Sequence, residues 1–124
     1  MEKEFKIQWK EGYVEVSLEG DITFSRYAEL FRTFASQENL PKKIRVLGVD
    51  NGVNLKFMAD DVIKLSALRE QAIAQFESVR HAFVVEDPTK TAFAILSSQE
   101  TYSSNYLVKI FSSKEYAIHW LLEE

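Results

Sequence analysis

The stretch that decides the fold is YLVKIFSSKEYAIHWL, residues 106–121. Leu107-Val108-Lys109-Ile110-Phe111 is a short run of branched and aromatic side chains and reads as a strand. Ser112 follows, with Glu115 three residues further on, the spacing of a capping box in which hydroxyl and carboxylate satisfy N–H groups at a helix start. Ala117, Ile118, Trp120, Leu121 and Leu122 then spread over one broad apolar face, so the strand leads straight into a helix. That succession is the building unit of α/β architecture.

The same alternation recurs upstream. Ala82-Phe83-Val84-Val85 reads as a strand, and Asp87-Pro88 suits the cap and first turn of a helix running through Ala92, Ile95 and Leu96. TAFAIL, residues 91–96, equally suits a buried strand. Ile44 to Val49, after Pro41, is a β-branched strand, and a helix follows from about Ala59 to Phe76 through Val62, Leu65, Ala72 and Ile73. Thr23 caps another helix, in which Phe24, Tyr27, Ala28, Phe31, Phe34 and Ala35 recur at helical spacing. At the start, Phe5, Ile7 and Trp9 alternate with Lys6 and Gln8. The turn-like Lys10-Glu11-Gly12 then leads to Tyr13, Val14, Val16 and Leu18, an antiparallel hairpin. The pattern predicts an α/β sandwich: about five strands, mostly parallel with an antiparallel N-terminal hairpin strand, and about four helices. With 124 residues and no linker or repeat, a single domain over 1–124 is expected, long enough to bury a core without staples.

Composition removes several functions. The formal net charge is -4, with 15 Lys and Arg against 19 Asp and Glu, so no basic excess exists to neutralise a phosphate backbone, which argues against nucleic acid. The absence of Cys excludes disulfides, thiolate metal sites and a cysteine nucleophile. No apolar run approaches the roughly 20 residues of a membrane span, and MEKEFKIQWK alternates charge where a signal peptide needs an apolar segment. A cytoplasmic protein is expected.

Catalytic and metal motifs are missing: there is no HExxH, no His pair at helical spacing and no Asp-rich calcium loop. Asp50-Asn51-Gly52 lacks the Lys-Ser/Thr of a phosphate loop and reads as a turn after a strand. The Ser pairs at 97/98, 103/104 and 112/113 read as loop and cap residues. His119 projects outside the apolar face of the terminal helix, a solvated or rim position. His81 falls at the entrance of a strand, opposite the end where α/β sheets place ligands, and reads as structural or solvent-exposed. Neither an enzyme nor a metal or other cofactor is expected. The nine Phe, five Tyr and two Trp lie mostly on core-facing stripes.

A pocket in this architecture belongs where loops after the strands meet helix starts. That singles out Asp50, Asn51, Lys56, Phe57, Met58, Asp60 and Asp61, and, in the next loop, Asp87 and Thr89. Asp60 and Asp61 begin a helix, where a carboxylate satisfies free N–H groups and the positive dipole end. Adjacent helical side chains project about 100° apart, which suits a cap better than an acid pair sharing one proton.

The closing segment resembles the SpoIIAA-like proteins, a branch of the STAS (anti-sigma-factor antagonist) fold, in which a strand carrying Lys-x-Phe leads into a helix with Glu, Ala and Trp-Leu. Here these are Lys109, Phe111, Glu115, Ala117, Trp120 and Leu121, and the order of elements matches over nearly the whole chain. In anti-sigma-factor antagonists the loop after the third strand carries Phe-Met-Asp, a Ser pair and Gly, and phosphorylation of one Ser controls binding to a kinase-like anti-sigma factor. Phe57-Met58 stand in the similar place, but Ala59 replaces the Asp, Asp60 and Asp61 replace the Ser pair, and Val62 replaces the Gly. No hydroxyl remains for such a switch. The resemblance implies a single-domain STAS-like sandwich acting as a non-catalytic regulatory or protein-interaction module, with the two carboxylates presenting a permanent charge to a protein partner. Because lipid-binding CRAL-TRIO domains share this fold, it also implies a rival: a carrier or sensor of a small apolar (lipid-like) or nucleotide-like ligand.

Overall fold

Gly12 adopts a φ of +90°, a left-handed conformation open to glycine at little cost, and the chain reverses there between β1 (Phe5–Trp9) and β2 (Val14–Thr23). The computed structural model describes residues 5–37, 39–87 and 105–123. Beyond the hairpin come α1 (Phe24–Ser36), β3 (Lys43–Lys56), α2 (Ala59–Ile73), β4 (Ser78–Val84), β5 (Tyr106–Phe111) and α3 (Lys114–Leu121). The sheet runs β1-β2-β3-β4-β5 in chain order. β1 and β2 are antiparallel and every later pair is parallel, the mixed sheet that the hydrophobic pattern predicts. Three helices lie among the described residues. The helix expected after Asp87-Pro88, the alternative TAFAIL strand and Thr89 fall outside them.

Local chemistry sets the boundaries. Thr23 caps α1, its side chain accepting the Arg26 N–H. The cap of α3 is Ser113, which accepts the Tyr116 N–H, one residue later than the Ser112 expected from spacing. β3 also departs from expectation, since it continues past Val49 to Lys56. Leu18 pairs with Asp50 and Gly20 with Val53, so β3 holds one more residue than β2 over this interval, a β-bulge. Gly52, at φ +89°, and the Asp50 carboxylate, which accepts the Gly52 and Val53 N–H groups, stabilise it. The turn-forming chemistry of Asp50-Asn51-Gly52 is present, but the neighbouring strand keeps the chain extended through it.

The two faces of the sheet bury different layers. Leu47, Val49, Ala82 and Val84 pack under Ala117 and Leu121 of α3; fully burying a side chain such as Leu47 or Leu121 contributes roughly 1.5–3 kcal/mol. Arg80, on this face, donates to the Trp120 and Glu123 carbonyls at the end of α3 and lies over the Trp120 ring. Glu15 is buried at the α3 start and pairs with Lys114 Nζ at 3.1 Å. On the opposite face, Val16, Leu18, Ile22, Leu30 and Val53 form one cluster, and Val14, Ile44, Ile73 and Val79 form another. There α1 rests on β2, whereas α2 packs chiefly on α1. Asn105 ties the end of α2 down, its side-chain amide donating to the Ile73 and Phe76 carbonyls.

Candidate functional site: a cavity between sheet and helices

Because α2 leans on α1 and not squarely on the sheet, a cavity of about 460 Å³ lies between them, within the usual range for small-molecule sites. Its sheet wall alternates as a strand must. β3 contributes Val46 and Gly48, β4 contributes His81 and Phe83, and β5 contributes Tyr106, Val108 and Ile110. Opposite stand Tyr27, Phe31 and Phe34 of α1, with Leu65, Arg69 and Ala72 of α2. A β-carbon on Gly48 would come within 3.1 Å of His81 Nε2 and 3.2 Å of Phe83, so the bare backbone there accommodates both rings.

A few polar groups are set into this apolar surface. His81 Nδ1 lies 2.7 Å from the Tyr106 hydroxyl. His81 and Tyr106 are half-buried, and both line the cavity. Burial, then the nearby Arg69 guanidinium, lower the His81 pKa from 6.5 to about 3. Tyr106 is raised, first by burial, with Arg69 opposing, and Tyr27 is raised by burial against the same Arg69 charge. One guanidinium thus acts on three rings, and the imidazole is neutral at neutral pH. With Tyr106 protonated, its O–H donates to Nδ1, which places the imidazole hydrogen on Nε2.

The residues singled out from sequence divide. Asp50, Lys56 and Phe57 line the cavity, and Phe57 meets Phe24 and Tyr27 edge-on at ring separations of 6.0 and 5.4 Å. Met58, Asp60 and Asp61 lie at the α2 start outside it. There the Asp61 carboxylate accepts the Met58 N–H at 2.9 Å, while Asp60 is exposed. Asn51 and Asp87 are exposed and do not line the cavity. His119 is exposed, but His81 departs from its expected place: β4 begins at Ser78, so His81 is central in the strand and faces the cavity. Arg69, Tyr106 and Tyr27 complete a polar cluster that the sequence reading did not assemble. Among the described residues, no group of three or more His, Asp or Glu is arranged to hold a metal, and no helix is long and apolar enough to cross a membrane.

No protein-family model matches the sequence, and no curated protein is significantly similar to it. Among solved structures, the chain is similar to an uncharacterized protein of the DUF3478 family with a SpoIIAA-like fold from Shewanella loihica. The identity is 18% and the TM-score 0.57, over 94% of this chain and 91% of that one. The fold is therefore SpoIIAA-like, as the strand-helix closing segment implies.

Proposed function

We propose that this SpoIIAA-like chain is a non-catalytic binding module whose ligand is a small, largely apolar molecule held between the sheet and helices α1 and α2. The cavity carries this reading: aliphatic and aromatic walls with a few convergent polar groups are the usual composition of a ligand site. Binding is favoured over catalysis by the state of the polar groups. A general base works best with a pKa near the operating pH, whereas His81 is held at about 3 and Tyr106 keeps its proton. Native mass spectrometry of the purified protein tests the reading, with Val46→Phe as the comparison because the larger ring occupies the cavity. A one-to-one small molecule, or one-to-one uptake of an added apolar probe, is expected for the parent and is lost in the variant. Equal uptake by both proteins, or none by the parent, overturns it.

A second reading, a protein partner docking on the start of α2, rests on Met58 and Ile63, which are 76% and 68% exposed beside the exposed Asp60. In this regulatory reading Asp60 presents the charge, since Asp61 is engaged as a cap. A partner captured by the parent and released by Ile63→Lys and Asp60→Asn supports it; a partner retained equally by all three proteins contradicts it.

A further inference from the structure

We infer that the cavity takes a flat, fused-ring aromatic molecule, laid face-down on the sheet across β3, β4 and β5 and covered by the rings of α1. This deepens the small-ligand reading above and rests on it. The shape of the floor carries the inference. Ile44 to Gly48, Val79 to Phe83 and Tyr106 to Ile110 stand side by side in register, and the alternate residues of each stretch line the cavity. They form a square grid with His81 at its centre. Neighbouring strands lie about 4.8 Å apart and parallel strands rise about 3.3 Å per residue, so the grid measures about 10 Å across the strands and about 13 Å along them. A cavity of about 460 Å³, spread over that floor, is about 3.5 Å deep on average, close to the separation of carbon atoms in contact. The space is broad in two directions and about one ring deep. A linear alkyl chain fills only one of those directions, whereas a fused ring system fills both.

The walls match such a ligand in chemistry and in rigidity. His81 is fixed in the middle of the floor by its 2.7 Å hydrogen bond with Tyr106, and the Phe83 and Tyr106 rings lie at centroid separations of 5.7 and 6.0 Å from it. The bare backbone of Gly48, where a β-carbon would meet both His81 and Phe83, lets these rings lie low against the sheet. From the other side, Tyr27, Phe31 and Phe34 of α1 line the cavity. Rings in offset or edge-on contact attract one another beyond the area they bury, so a planar aromatic gains on both walls what a saturated chain gains on neither. A surface already fixed also loses less freedom when its ligand arrives.

Binding of naphthol, its saturated counterpart decahydronaphthol, and decanol tests the assignment, each measured by displacement of an environment-sensitive apolar probe. All are neutral alcohols of equal carbon count, and dividing each affinity by the ligand's own water-to-octanol partition removes the shared hydrophobic drive. After that correction the parent is expected to prefer naphthol to the other two by about tenfold, the scale of two ring contacts. Phe83→Leu and Phe31→Leu, on opposite walls, should each cut this excess by about threefold while decanol binding is retained. Equal corrected affinities in the parent, or an excess unchanged in both variants, overturn the flat-ring assignment but leave the small-ligand reading standing. Failure of the parent to take up the probe or any of the alcohols overturns both.

Discussion

His81 shows how a single residue's surroundings set its chemistry. The native chain keeps the imidazole neutral down to about 3, whereas in the unfolded chain it takes a proton near its ordinary 6.5. Between those values the unfolded state binds one more proton, so stability falls as pH drops through this window, with a slope approaching 1.4 kcal/mol per unit at about one proton of difference. Urea denaturation at pH 6.5, 5.75 and 5 should show this decline in the parent and a shallower one in His81→Phe; identical slopes would show that the ring is not held neutral. At the start of α2, Asp61→Ala should cost about 0.5–2 kcal/mol, as a lost cap does. Asp60→Ala should stay within about 0.5 kcal/mol, as exposed substitutions usually do, and the same denaturation curves decide it. The capping carboxylate was readable because capping is local, needing only a helix start. His81 and Arg69 were not assembled into a site, although each left a trace. Val79, His81, Phe83 and Val85 share a period of two, and Arg69 interrupts the apolar stripe from Leu65 to Ala72. Recognising those traces required knowing where β4 begins and what α2 faces.

At the level of elements, α3 is held by its start as well as by its apolar face. Glu15 is buried within β2, where its carboxylate pairs with Lys114 at 3.1 Å and accepts from the Ser17 hydroxyl at 3.5 Å. Removing the cation should therefore cost more than a surface ion pair is worth, about 1–3 kcal/mol, because a buried carboxylate is left under-satisfied. Lys114→Met should lower the thermal midpoint, and Glu15→Gln added to it should restore much of the loss; a double variant no better than the single would place the cost in the packing of the lysine stem. The strand-to-helix transition into α3 was readable from hydrophobic period and cap chemistry. The continuation of β3 through Asp50-Asn51-Gly52 was not, because local preference favours a turn there and pairing of the residues beyond it with Gly20, Asp21, Ile22 and Thr23 keeps the chain extended.

Across the whole molecule, a sheet in simple chain order leaves α1 and α2 on one face and α3 on the other, and the two layers need not share one stability. The α3 layer sits directly on Leu47 and Ala82, which are fully buried, whereas α2 stands off the sheet and is tied at its far end through Asn105. Segments with few buried apolar contacts open at lower free energy than the global unfolding transition. The amides of the first half of α2 should accordingly exchange with deuterium at least about tenfold faster than those of β3 and β4. Asn105→Ala should accelerate exchange through α2 and quicken probe entry, leaving α3 unaffected. Uniform exchange over both layers would sink the idea. If α2 exchanges faster and Asn105→Ala quickens probe entry together with it, passage into the cavity is timed by a brief partial unfolding: access is then rationed by how often one helix lets go.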